Sequence, residues 1–311
     1  MDDAEVPGFW RELGLPGLAD VHVHFLPPRL LRRIWAYFDA AGPLVGTEWP
    51  IRYRCGDSER VAHLDRLGVR MFSALAYPHR PGMASDLNDW TLDFARRTPG
   101  CLPSATFYPE PDVLGYVRRA VEAGARIFKV HIQVGGFPPT APELDAVWGL
   151  LAEAAMPVVV HAGHAPVGTT YTGPGPFAEL LARHPRLPAI VAHLGAPDYE
   201  PFLELAERYE RVALDTTMAF TPFFERFVPF PTERLGRLRE LGLAGKVLLG
   251  SDFPNIPYPY AEQLAGLARL DLGDEWLRAV CWHNAVRLFG EPAEPAAPAA
   301  PAEPAEPSAG R

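Results

Sequence analysis

Cysteine is scarce in this chain: Cys55, Cys101 and Cys281 are the only three in 311 residues. They are odd in number and scattered, and no C-x-x-C spacing occurs. That excludes a disulfide framework and a thiolate zinc site and points to a reducing cytoplasm. No apolar run is long enough to span a bilayer. The start, MDDAEVPGFWREL, is acidic and lacks the basic, apolar and small-residue segments of a secretory signal. The expectation is a soluble cytoplasmic protein with no membrane partner. Lysine and arginine form no cluster, and the net charge is -9. Nucleic acid is therefore excluded as a partner, because a phosphate backbone needs a basic face to displace its counterions. No G-x-G-x-x-G follows the first apolar run, so an open dinucleotide-binding sheet is disfavoured.

What is present is apolar residue, 48% of the chain, enough to bury one large α/β core. From Glu291 the sequence becomes EPAEPAAPAAPAEPAEPSAGR. This Pro/Ala/Glu tract has nothing to bury, and residues 291–311 are expected to be a disordered, solvated tail. The folded domain is then 1–290.

Within it, β-rich runs alternate with helical patterns: Ala19–His24, Val69–Tyr77, Leu102–Tyr108, Ile127–Ile132, Val158–His161, Ala189–His193, Val212–Asp215 and Val247–Ser251. Eight such runs fit a closed, distorted (β/α)8 barrel. After the fourth, Thr140-Ala141-Pro142-Glu143 has capping-box spacing. Leu144, Val147, Trp148 and Leu151 then recur at helical steps, giving a face to lie on the sheet. The stretch 25–56 is too long for an ordinary βα loop. It carries Trp35, Tyr37, Phe38, Trp49 and Tyr53 among arginines, and is expected to form a lid or substrate wall at the barrel mouth.

His22-Val23-His24 closes the first run, and residues two apart on a strand point the same way. His161 ends Val158-Val159-Val160, His193 ends Ile190-Val191-Ala192, and Asp252 follows Val247-Leu248-Leu249-Gly250-Ser251. In each case a costly polar residue stands where an apolar strand stops. A barrel brings those ends to one face, where imidazoles and a carboxylate suit one divalent ion, zinc first and manganese second. Such an ion lowers the pKa of water toward neutrality. Asp252 can then carry the proton to a leaving group, and His193 can hold the water or stabilise an oxyanion.

The set DVHVH, VVVHAG, VAHLG and VLLGSDFP, finishing with HNAVRLFG, resembles the amidohydrolase superfamily. The nearest likeness is to the amidohydrolase-related group that includes the aminocarboxymuconate-semialdehyde and resorcylate decarboxylases. The resemblance implies one zinc held by His22, His24, His161 and Asp252, with His193 in proton transfer. Some superfamily members carry a carbamylated lysine on the fourth strand that bridges two metals. In Ile127-Phe128-Lys129-Val130-His131, Lys129 is therefore open to three readings: such a bridge, a charged anchor for substrate, or a structural ion pair.

His131, His164, Tyr77, Trp49 and Arg52 are further candidates for contact with substrate. Asp215, at the end of the seventh run, could orient a neighbouring ligand. His63 and His184 are given no function. The first functional reading is a hydrolase that uses a metal-activated water on a C–N or C–O bond of a small carboxylate-bearing or aromatic molecule. The second is a non-oxidative decarboxylase of an aromatic or unsaturated acid. The third is a non-catalytic metal- or ligand-binding barrel. A homodimer is the expected assembly where one forms.

Overall fold

The computed structural model describes residues 1–292, so the expected tail lies outside the described residues from 293 on. Nine strands run in chain order: β1 (Leu18–Asp20), β2 (Val69–Ser73), β3 (Cys101–Leu102), β4 (Ser104–Thr106), β5 (Ile127–His131), β6 (Val158–His161), β7 (Ala189–Val191), β8 (Val212–Asp215) and β9 (Val247–Leu248). Every pairing is parallel and between sequence neighbours, in a β1-β2-β3 piece and a β4-to-β9 piece. β3 and β4 are one barrel stave broken at Pro103, which has no N–H to give to a ladder. Its carbonyl still accepts from Arg126 N at 2.7 Å. The other seam closes through Val21 N to Leu249 O (2.9 Å), Asp252 N to His22 O (2.9 Å) and His24 N to Phe253 O (2.8 Å). The result is the eight-stave (β/α)8 barrel.

Regular pairing stops earlier than the sequence runs suggest, at Asp20, Ser73, Val191 and Leu248. Side-chain hydroxyls take over the ladder there. Ser73 Oγ accepts from Val23 N (3.0 Å) and donates to Val21 O (2.8 Å), Ser104 Oγ accepts from Ala74 N (2.9 Å), and Thr216 Oγ1 from Gly250 N (3.3 Å). His22, His24, His193 and Asp252 therefore stand on irregular backbone just beyond the strands, while Lys129, His131, His161 and Asp215 are at or near the ends of β5, β6 and β8.

The expected helix after β5 is present as a 3-10 turn, Pro142–Leu144, leading into the α-helix Asp145–Glu153. Leu144, Val147, Trp148 and Leu151 are all buried. The Thr140 capping box is not made, and neither helical start carries a side-chain cap. The tighter turn moves the N-cap to Ala141, one residue past the threonine.

The 25–56 stretch forms the helices Pro28–Ala40 and Gly42–Val45 and then an extended run. Indole N–H groups fasten it to the loop after β9: Trp49 Nε1 to Asn255 O (2.7 Å) and Trp35 Nε1 to Asn255 Oδ1 (3.3 Å). Among the described residues no helix is long and apolar enough to cross a membrane, and the three cysteines are free.

Candidate active site

His22 and His24, two apart beyond β1, turn into the barrel mouth, with His22 Nε2 3.7 Å and His24 Nε2 2.7 Å from Asp252 Oδ1. The potential ligand atoms of these three residues all lie within 4.8 Å of one another. His193 closes in from beyond β7, its ring centroid 5.3 Å from that of His22 and 4.9 Å from that of His161. β5 and β6 pair His131 with His161 in register, and their rings stack at 3.9 Å and 12°. Asp252 and His193 both have left-handed backbone, at φ +67° and +55°. Non-glycine residues pay for that conformation, and it gathers at functional sites.

Each inward imidazole is aimed by its far nitrogen. His22 Nδ1 is 2.9 Å from Asp215 Oδ2, His24 Nδ1 2.9 Å from Leu75 O, His193 Nδ1 3.2 Å from Thr217 O, and His161 Nε2 2.8 Å from Ala165 O. An acceptor oxygen at one nitrogen places the N–H there and leaves a lone pair on the other, the arrangement that metal-binding imidazoles use. The sequence foresaw Asp215 in this part. The three backbone carbonyls have no letter of their own and were not legible.

Electrostatics keep the set in its ligating forms. Burial lowers the His22 pKa to about 4, helped by Lys129 and opposed by Asp215. Burial likewise holds His161 and His193 low, so both are neutral imidazoles. For Asp252, burial acts upward, but the bond to His24 and the nearby His22 and His193 carry its carboxyl well below the usual range. Asp215 is depressed in the same way, chiefly by His22. Neutral imidazoles with an ionised carboxylate fit a borderline-soft divalent cation. Lys129, fully buried, has Nζ 2.9 Å from His22 Nε2. Burial lowers its pKa to about 8 against the pull of Asp215 and Asp252.

Above this floor is a cavity of about 540 Å³. Its lining includes the expected Lys129, His131, Tyr77 and Trp49, together with His22, His24, His161, His193 and Asp252. Two expectations are corrected. Arg52 does not line the cavity; Trp49, Ile51 and Tyr53 are buried, and the alternation of an extended chain turns Arg52 outward to solvent. His164 lines an adjoining smaller chamber of about 180 Å³, where its Nδ1 is 2.6 Å from Asp198 Oδ2. That bond fixes its ring away from the main floor. His161 is also not among the three residues with mutually close ligand atoms, and its Nε2 is 2.8 Å from Ala165 O. Arg33 was missed. It lies with Leu30, Ile34 and Tyr37 on the cavity face of the helix Pro28–Ala40, a periodicity the sequence does show.

A family model described as amidohydrolase matches residues 19–290. Comparison with curated proteins finds no match. Among solved structures, an uncharacterised TIM-barrel protein from Bordetella bronchiseptica superposes with a TM-score of 0.69 at 17% identity, over 87% of this chain and 98% of that one. A probable 2-pyrone-4,6-dicarboxylic acid hydrolase from Acinetobacter baumannii, with citric acid bound, gives 0.61 at 14% identity, over 88% and 100%. An amidohydrolase from Burkholderia multivorans with bound zinc gives 0.61 at 15%, over 89% and 100%. At these identities the likeness to the solved structures is one of fold.

Proposed function

The chain belongs to the amidohydrolase family, and from that premise we propose that it hydrolyses a C–N or C–O bond of a small carboxylate-bearing or aromatic molecule at the His22–His24–Asp252 centre. The observation that carries this reading is the convergence of two imidazole lone pairs and one ionised carboxylate at the open end of a closed barrel. His22, His24 and Asp252 would hold one divalent ion, zinc by the chemistry of the donors, and His161, whose ring centroid is 4.9 Å from that of His193, borders the centre. Such an ion supplies a Lewis acid and brings water's pKa toward neutrality.

The rest is the work of this chain's side chains. Asp252, held ionised, accepts the proton of the attacking water and passes it to the leaving group. His193 has its N–H tied to Thr217 O, so its Nε2 is an acceptor and steadies the water. That polarity suits it to water better than to an oxyanion. Asp215 keeps the His22 lone pair facing inward. The apolar walls, Ile34, Phe38 and Trp49 among them, exclude bulk water from the reacting group. Lys129, with Nζ 2.9 Å from His22 Nε2, fits a single ion, and carbamylated it would bridge two.

Elemental analysis of purified protein together with a panel of amides, lactones and aromatic acids tests the proposal. One equivalent of zinc and water-dependent cleavage, both abolished in His22→Ala, are expected. Two equivalents would make Lys129 a bridge, and CO2 release with a proton taken up at carbon, in place of water-dependent C–N or C–O cleavage, would make the enzyme a decarboxylase. Full activity in metal-free His22→Ala would remove the reading.

A further inference from the structure

Six imidazoles line the cavity; besides the exposed His79 there are five around its floor, and one of these is wired in the opposite sense. In His22, His24, His161 and His193 an acceptor oxygen takes up the N–H. In His131 it is the lone pair that is taken up: Val134 N–H donates to Nδ1 at 3.3 Å, with His131 as N-cap of the short helix Ile132–Gly135. A nitrogen that accepts a hydrogen bond carries no proton, so the proton of His131 is on Nε2. Nε2 has no hydrogen-bond partner among the described residues, and His131 lines the cavity. The ring is clamped between His161, stacked at 3.9 Å, and Tyr77 at 4.8 Å, which holds that N–H in place.

The neighbourhood says what the donor is for. Of the charged side chains lining the cavity, Arg33 and Lys129 are cationic and Asp252 belongs to the ion centre, its Oδ1 2.7 Å from His24 Nε2. The walls around them are largely Leu30, Ile34, Phe38, Val45, Trp49 and Phe224. A site with a fixed N–H, two cations and apolar walls selects an anionic oxygen on an apolar body. Resting on the ion-centre reading above, we propose that His131 does not ligate the ion but anchors the substrate, its Nε2–H binding a carboxylate of a small apolar acid.

The test joins a tautomer readout to a binding readout. In 15N-histidine-labelled protein, long-range proton–nitrogen correlation, with His131→Gln for assignment, is expected to show His131 as the Nε2–H form. Calorimetry on zinc-loaded protein then compares benzoate with neutral benzamide. Wild type is expected to prefer benzoate. His131→Leu should lose about tenfold or more of the benzoate affinity, the size of one hydrogen bond to a charged group, with benzamide binding and zinc content unchanged. His131→Gln, which keeps an N–H near the Nε2 position, should restore most of that loss. An Nδ1–H tautomer, unchanged benzoate affinity in His131→Leu, or loss of zinc from that variant would each overturn the proposal. If wild type takes up no zinc, the ion-centre reading fails by itself, while the tautomer and the benzoate comparison in zinc-free protein still decide the role of His131.

Discussion

Asp215 splits its carboxylate between two site elements: Oδ2 is 2.9 Å from His22 Nδ1, while Oδ1 accepts from the backbone N–H of His193 (2.9 Å) and of Thr217 (3.1 Å). One fully buried side chain thus sets both the tautomer of His22 and the turn that presents His193. Asp215→Asn keeps the shape but can put an N–H where His22 now meets an oxygen, which moves the imidazole proton to the nitrogen that should bind metal. Outer partners of this kind are worth about 10- to 100-fold in metal affinity. Chelator competition should show a loss in that range with the far-ultraviolet circular dichroism unchanged. Wild-type affinity in the variant would mean that Asp215 plays no part in the centre.

Gly250 is a space requirement. A Cβ there would lie 2.2 Å from Thr217 Oγ1, 2.9 Å from His22 Cβ and 3.2 Å from Asp215 Cγ, so the β9 end approaches the centre only because this residue has no side chain. Gly250→Ala should cost about 1–3 kcal/mol of stability, as overpacking does, and reduce zinc content. Thr217 Oγ1 is buried and makes no hydrogen bond of ordinary geometry, only a weak polar contact with Asp215, so its removal costs little. Adding Thr217→Ala to Gly250→Ala should therefore recover part of both losses in thermal unfolding and elemental analysis. A double variant no better than the single one would rule out this clash as the cause.

These two cases mark the line between what sequence carries and what it leaves out. The barrel and its inward imidazoles were legible because a strand's alternation and an apolar run ending in histidine are local patterns. Asp215 was legible because its carboxylate has a letter and a place at a strand end. Leu75 O, Thr217 O and Ala165 O do the same job for His24, His193 and His161, but any residue has a carbonyl. The outward turn of Arg52 and the inward turn of Arg33 depend on which face of the insertion meets the barrel, a tertiary fact. The hydroxyls of Ser73, Ser104 and Thr216 that shorten the regular strands act across neighbouring staves.

Trp49 borders both chambers and is fastened by Nε1 to Asn255 O. If the 25–56 insertion serves as the substrate wall, Trp49→Ala should raise KM more than it lowers kcat, because no reacting atom lies beside it. The truncation should also cost about 3–5 kcal/mol of stability, the usual range for a large buried aromatic. Trp49→Phe should recover the stability better than the affinity, since it refills the space without the N–H. A selective fall in kcat in steady-state kinetics would place Trp49 in the chemistry instead.

Asp3 ties the N-terminal segment to the barrel. Its carboxylate accepts from Tyr53 OH (2.6 Å) and Ala261 N (2.9 Å) and lies 3.1 Å from His63 Nε2. This joins the start of the chain, the end of the insertion and the first turn of the helix Ala261–Arg269. Burial pushes its pKa up, but the bonds from His63, Tyr53 and Ala261 outweigh that and leave it below its ordinary 3.8. A folded-state pKa below the unfolded one means that the unfolded chain binds the proton more readily. The stabilisation is therefore present in full above 3.8 and lost as pH falls through the lower folded value. Asp3→Asn, which retains one acceptor oxygen and no charge, should be less stable than wild type by about 1–3 kcal/mol near neutrality. Urea unfolding should show that difference constant down to about pH 5 and shrinking below the ordinary carboxylate value, as wild type itself becomes protonated. A difference that instead grew on acidification would mean the carboxylate is strained by its burial, with its three partners failing to compensate.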